Sequence, residues 1–211
     1  MIEIIPSIIA KDFGELKKRI EKVEDYVKWT QLDISDGDFA PNRTWNDPVQ
    51  LKYYDPGVFM EAHLMIQAPE KVIDEWIESG VKRIYFHYEA TSVHQELIDK
   101  IKEAKLEAGV AILQETPLSL ISSLRNLDVV LLFSGSLGFY GGDFNPSDTL
   151  PKVRALRDKY PGLKIEIDGG MNPRTAKQAV DAGANLIISG SYIFDSPDIK
   201  VAIEELKNAT N

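Results

Sequence analysis

The feature that most limits this chain is a regular exchange between two hydrophobic periods. Short β-branched or fully apolar runs fall at Ile2–Ile5, Tyr26–Ile34, Val58–His63, Val81–His87, Gly109–Leu113, Asp128–Phe133, Lys164–Ile167 and Asn185–Ser189. Stretches of helical period lie between and after them. Asp12 stands as an N-cap before Phe13, Leu16, Ile20 and Val23, which share one helix face. Further helices are predicted near Pro48–Tyr53 and over Pro69–Ser79, His94–Glu107, Leu118–Leu124, Ser147–Lys159, Pro173–Ala182 and Ile199–Asn208. Eight strands and eight helices in strict alternation describe a parallel sheet. An open, doubly wound sheet shows the same alternation. However, no Gly-x-Gly-x-x-Gly follows the first strand, and eight units in 211 residues suit a small closed barrel. The expectation is an α/β fold, a single (β/α)8 TIM barrel spanning 1–211 as one domain.

Composition narrows the function. The chain has no cysteine, which excludes disulfides, thiol catalysis and Cys-ligated metal sites. Acidic residues outnumber basic ones, 33 to 24, for a formal charge of -9. That argues against a nucleic-acid surface, though backbone amides can still hold a small anion. No apolar run approaches the ~18 residues of a membrane span. The opening Met1-Ile2-Glu3-Ile4-Ile5-Pro6 lacks the basic start of a signal peptide. No membrane contact and a cytoplasmic location are expected.

In such a barrel, chemistry gathers at the C-terminal ends of the strands. The second strand ends Gln31-Leu32-Asp33-Ile34. Side chains alternate, so if Leu32 and Ile34 pack under helices, Gln31 and Asp33 face the barrel mouth. The third strand ends at His63, the fourth at His87 and the seventh at Asp168. Two carboxylates and a histidine converging from three strands suit a divalent metal flanked by proton-transfer groups. Each residue also has a plainer reading. The aspartates can cap strand ends, His63 can be a satisfied core residue, and Gln31 can be a polar plug in a metal-free mouth. His87 reads as packing or support, His94 as surface, and Trp29 and Trp76 as core. Trp45 reads as a loop residue at the mouth or an interface. Glycines crowd the last three loops: Gly138-Phe139-Tyr140-Gly141-Gly142, then Asp168-Gly169-Gly170, then Gly190-Ser191. Together they suit the phosphate site of such barrels, with tight turns as the plain alternative.

These residues resemble the ribulose-phosphate 3-epimerase family nearly end to end. The likeness rests on Pro6-Ser7-Ile8, Asp33 with Asp36-Gly37, Phe39-Ala40-Pro41-Asn42 and His63-Leu64-Met65. It continues through His87-Tyr88-Glu89-Ala90, Thr116-Pro117, Asp168-Gly169-Gly170 and Gly190-Ser191. The resemblance implies an isomerase of carbohydrate metabolism that interconverts D-ribulose 5-phosphate and D-xylulose 5-phosphate. It implies one divalent metal (zinc, manganese, iron or magnesium) at the positions of Gln31, Asp33, His63 and Asp168. Asp33 and Asp168 would also serve as base and acid, through an enediolate that the metal stabilises. Ser7, His63 and the three glycine loops would contact substrate and phosphate, and the protein would be a homo-oligomer. The C3 proton is acidic because it adjoins a ketone, and inversion needs proton carriers on both faces.

The chain departs from the family pattern at several positions. Gln31 stands where a metal histidine is usual, and Ser35 and Phe133 stand where methionines are usual. Residues 136–142 replace the usual Asn-Pro-Gly-Phe-Gly-Gly-Gln. Gln31 could ligate only weakly, through its amide oxygen. Three rival readings remain: a non-catalytic phosphosugar-binding barrel, an epimerase for a different ketose phosphate, and a hexulose-phosphate aldolase or decarboxylase. The last group carries Asp-x-Lys-x-x-Asp at a strand end, and no strand here ends that way.

Overall fold

The computed structural model describes residues 2–135, 137, 139 and 142–211. Eight parallel strands form a closed barrel in chain order: β1 Glu3–Ile8, β2 Trp29–Ser35, β3 Phe59–Met65, β4 Arg83–His87, β5 Glu107–Ile112, β6 Val129–Phe133, β7 Lys164–Asp168 and β8 Leu186–Ser189. β8 pairs with β1 to close the ring. The helices are α1 Phe13–Glu21, α2 Pro48–Leu51, α3 Ile73–Ile77, α4 His94–Glu103, α5 Pro146–Lys159, α6 Pro173–Ala182, α7 Ser191–Phe194 and α8 Ile199–Thr210. Among the described residues no helix is long and apolar enough to cross a membrane.

Local chemistry sets the boundaries. Asp12 caps α1 by accepting from the Glu15 amide at 2.9 Å. Asn172 and Thr175 form a reciprocal capping box at α6, and Gly183 ends that helix in the left-handed region. Outward-facing apolar residues such as Leu32, Ile34, Leu64, Phe86, Val110 and Ile167 pack under the helices. Ile5, Tyr85, Ala111, Leu131, Phe133 and Ile188 fill the barrel's interior as a second core.

Several boundaries differ from the sequence expectation, each for a physical reason. β1 continues through Pro6 to Ile8, because Pro6 still pairs in register with Ser189 and its carbonyl accepts from Thr30 Oγ1 at 2.9 Å. The helix expected over 94–107 stops at Glu103. Lys105 turns left-handed (φ 62°), and Glu107 starts β5 opposite Arg83. The helix expected over 69–79 is split into a 3-10 turn at Pro69–Lys71 and α3. The one over 118–124 is only a 3-10 turn at Leu120–Ser123. α7 is an extra short helix. Trp45 is neither at the mouth nor on an interface-like surface: it is buried, stacked on Phe13 with centroids 5.5 Å apart and set edge-on to Trp76.

Candidate active site

The barrel register brings the candidate side chains to one level. Asp33 on β2 pairs directly with His63 on β3, and Asp168 closes β7 opposite Phe133 on β6. Gln31, Asp33, His63, His87 and Asp168 are all buried. His63 Nδ1 lies 3.1 Å from Asp33 Oδ1 and 3.6 Å from Asp168 Oδ2. One ligand atom from each of Asp33, His63 and Asp168 lies within 4.8 Å of the others. Gln31 reaches up between the carboxylates. Its Nε2 donates to Asp33 Oδ1 at 2.9 Å and to Asp168 Oδ2 at 2.7 Å. The amide nitrogen, rather than the oxygen considered from sequence, therefore faces the cluster, because two neighbouring carboxylates demand donors. Gln31 Oε1 is buried with no hydrogen-bond partner among the described residues.

The electrostatics follow from burial. Asp168 is pushed up to about 7 by loss of solvent and by the adjacent Asp33 charge, with His63 and the Gln31 amide opposing. On the far side of His63, its Nε2 sits 2.9 Å from His87 Nε2. Burial pulls His87 down to about 4. His87 Nδ1 in turn lies 3.5 Å from Glu89 Oε2. Burial alone would raise Glu89, but His87, the Thr116 hydroxyl and the Leu113 amide hold it down at about 2. One layer below lies a second charged group that the sequence reading missed. Arg83 Nη1 binds Glu61 Oε2 at 2.5 Å, Arg83 Nε binds Glu107 Oε2 at 2.7 Å, and the Tyr85 hydroxyl donates to Glu166 Oε2 at 2.7 Å. Burial raises Glu61 to about 7 and Glu166 well above the usual carboxylate range.

Above the cluster, Ser7, Phe139, Gly142, Gly169, Gly190 and Ser191 line a narrow cavity of about 40 Å³ that also touches Asp33 and Asp168. Met65, Phe133 and Met171 give it an apolar wall. Met171 went unnoticed in the sequence; its signal was its place directly after Asp168-Gly169-Gly170. Gly170 lines an adjoining cavity of about 520 Å³ with Gly142, Ser191 and Arg174. Gly169 and Gly170 have φ of +117° and +67°, and a Cβ there would come within 2.3 Å of the Gly135 nitrogen or 2.4 Å of the Phe144 nitrogen. Only glycine fits both positions. Gly138, Tyr140 and Gly141 lie outside the described residues. A separate cavity of about 410 Å³, lined by Glu3, Tyr26 and Lys207, lies at the opposite end of the strands and holds no such cluster of acids and imidazoles. His94 stacks on Tyr88, away from the site.

The donor set fits a divalent cation. Two carboxylate oxygens and an imidazole nitrogen converge, and the Gln31 amide donates to both oxygens; a cation would take over that role and bind the imidazole as well. The orphaned Gln31 oxygen could join them if the amide turned over.

A model of the ribulose-phosphate 3-epimerase family matches residues 3–194. The ribulose-phosphate 3-epimerase of Schizosaccharomyces pombe is 36% identical over 98% of this chain and 93% of its own length. That of Bacillus subtilis is 34% identical over 99% of this chain and 100% of its own. A solved 3-hexulose-6-phosphate synthase superposes with a TM-score of 0.76 at 17% identity, covering 100% of both chains. KGPDC from Streptococcus mutans superposes at 0.73 and 14% identity, covering 100% of this chain and 97% of its own. These structural likenesses support the fold alone. The chain belongs to the ribulose-phosphate 3-epimerase family, whose named members are isomerases acting on carbohydrates.

Proposed function

We propose that the chain inverts C3 of a ketose phosphate, D-ribulose 5-phosphate to D-xylulose 5-phosphate, with Asp33 and Asp168 as the two proton carriers. The observation that carries this reading is the convergence of two buried carboxylates and His63 beneath the glycine loops. Inversion needs one group to take the C3 proton and another to return a proton on the opposite face. In the cation-free site burial and the Asp33 charge raise the Asp168 carboxyl to about 7, so it can hold or release a proton at neutral pH; a bound cation would lower it. Asp33, His63 and Asp168 would hold the divalent metal, with Gln31 as a weak fourth ligand. When bound, that metal supplies positive charge beside the substrate's developing oxyanion. One nitrogen among several oxygens favours manganese or magnesium over zinc.

Ser7 and His63 would orient the sugar. The backbone amides of Gly142, Gly169, Gly170, Gly190 and Ser191 would grip its phosphate, with Phe139 flanking the entrance. Met65, Phe133 and Met171 would keep water from the reacting carbon. The lining must part to admit a pentulose phosphate, because ligand pockets run to ~300–1,000 Å³. A homo-oligomer working in the cytoplasm completes the reading. The relative from Oryza sativa is named a cytoplasmic isoform, and light scattering tests the subunit number.

The test of function is ribulose 5-phosphate in deuterated buffer with added Mn2+. Deuterium at C3 and appearance of xylulose 5-phosphate are expected. Binding of the sugar phosphate without exchange at C3 would instead support a phosphosugar-binding barrel.

A further inference from the structure

We propose that Glu89 sets the tautomer of His63 through His87, so that His63 presents a bare Nδ1 to a cation held with Asp33 and Asp168. This rests on the metal reading above and adds a positioning residue to it.

The argument counts protons. Asp33, His63, His87 and Glu89 form a line with three gaps: 3.1 Å from Asp33 Oδ1 to His63 Nδ1, 2.9 Å between the two Nε2 atoms, and 3.5 Å from His87 Nδ1 to Glu89 Oε2. A cation on His63 Nδ1 requires that ring to be neutral, and two neutral imidazoles bring two protons. The middle contact uses one, since two bare nitrogens at 2.9 Å would repel. The second proton therefore sits at one end, on His63 Nδ1 or on His87 Nδ1. A cation requires the first of these to be bare. His87 Nδ1 and Glu89 Oε2 are both buried, face each other and have no other hydrogen-bond partner among the described residues. Glu89 Oε1 is held by the Leu113 amide at 3.0 Å and by the Thr116 hydroxyl. That fixes the carboxylate and leaves Oε2 facing His87 Nδ1 as an acceptor for its N–H. Phe39 and Phe133 pack on the His87 ring, which keeps its orientation.

Moving from one arrangement to the other conserves charge. One proton leaves His63 Nδ1 to water, the shared proton passes from His87 Nε2 to His63 Nε2, and water supplies one to His87 Nδ1. Both rings end neutral. A histidine ligand oriented by a carboxylate is a common arrangement; here a second imidazole lies between them.

Glu89→Gln reverses the preference. The Leu113 amide needs an acceptor, so it holds the new carboxamide oxygen on its own side and turns the NH2 toward His87 Nδ1. His87 must then be bare at Nδ1, and the spare proton is held on His63 Nδ1. The chain has only three histidines, so 15N-histidine spectra resolve each ring. In zinc-loaded wild type, His87 is expected protonated at Nδ1 and His63 at Nε2. In metal-free Glu89→Gln, His63 is expected protonated at Nδ1, and the zinc dissociation constant should rise ~10–100-fold. Identical His63 and His87 tautomers in metal-free wild type and Glu89→Gln would overturn the relay, as would unchanged zinc affinity in the variant. A wild type that takes up no zinc or Mn2+ would sink the metal reading; the metal-free spectra then decide the relay alone.

Discussion

Replacing Gln31 with leucine tests the base of the site directly. The Gln31 amide donates to Asp33 at 2.9 Å and to Asp168 at 2.7 Å, and all three residues are buried. Leucine is close in volume but offers no donor, so the two carboxylates lose their shared partner while packing is kept. A hydrogen bond to a charged group contributes ~1.5–3 kcal/mol. Two such bonds would contribute about twice that. However, Asp168 already rises to about 7 and can relieve the repulsion by keeping a proton. A net loss of ~3 kcal/mol follows, which for a domain of this size lowers Tm by ~6–12 °C. The assay is thermal unfolding followed by circular dichroism at pH 8 with chelator present. Saturating Mn2+ should then restore more stability to Gln31→Leu than it adds to wild type, because the cation takes over the role of the lost donors. At 100 times its Kd, a ligand stabilises by ~2.7 kcal/mol. A metal-free Tm within about 2 °C of wild type, against that expected fall, would refute the bridging role.

Asp33→Asn and Asp168→Asn should each abolish deuterium exchange at C3 while leaving the far-ultraviolet circular dichroism unchanged; near-normal turnover in either would rule out the two-aspartate mechanism. Gln31→His should raise zinc affinity relative to manganese, read by elemental analysis after dialysis, and an unchanged zinc content would mean position 31 does not reach the cation. Gly170→Ala should weaken binding of inorganic phosphate at least ~10-fold and cost ~1–3 kcal/mol of stability, since a left-handed φ of +67° and a Cβ 2.4 Å from the Phe144 nitrogen both oppose it; calorimetry with phosphate checks the first effect. The Asp36 carboxyl is held below its usual value, because amide donors at Asp38, Phe39 and Gln67 outweigh burial. Its stabilisation is present above the unfolded pKa of ~3.9 and is lost as pH falls through the lower folded value. Asp36→Asn should therefore be less stable than wild type at pH 7, with the gap closing in acid melts.

The barrel was legible because its strands are covered on both faces. Runs such as Val129–Phe133 are apolar throughout, and the helices between them carry caps at Asp12 and Asn172. Gln31 and Asp33 were legible for a related reason: apolar Leu32 and Ile34 leave them only the inner face. The apolar run ends at Ile5, yet the carbonyl of Pro6 and its pairing with Ser189 keep the strand going. Glu107 lies at the end of the helix expected over 94–107, whereas its register opposite Arg83 makes it a strand residue. The role of Glu89 needed the three-dimensional path through His87. In the sequence it was one letter of a motif. Arg83, Glu61 and Glu166 were illegible because charged residues within a strand usually mark a solvent face. Only the closed register shows that they face one another inside the barrel.

That buried layer bears on why the site would take a cation. Asp33, Asp168, Glu61 and Glu166 are four carboxylates in one barrel interior, and Arg83 is the buried guanidinium among them. Arg83 stays charged, braced over Trp29 at 4.2 Å. If all four acids were ionised, the interior would carry three uncompensated negative charges, which burial makes costly. The raised values at Glu61, Glu166 and Asp168 are how protons answer that deficit. Protons satisfy the lower pair well, because Tyr85 and Arg83 already supply donors there. In the upper pair the Gln31 amide is the shared donor, and a bare His63 Nδ1 would add a third acceptor between Asp33 and Asp168. A divalent charge at that point neutralises two carboxylates at once and gives the His63 lone pair a partner. With the lower carboxylates answered by protons and Arg83, the charge left in the interior is that of Asp33 and Asp168, and a cation there would balance it.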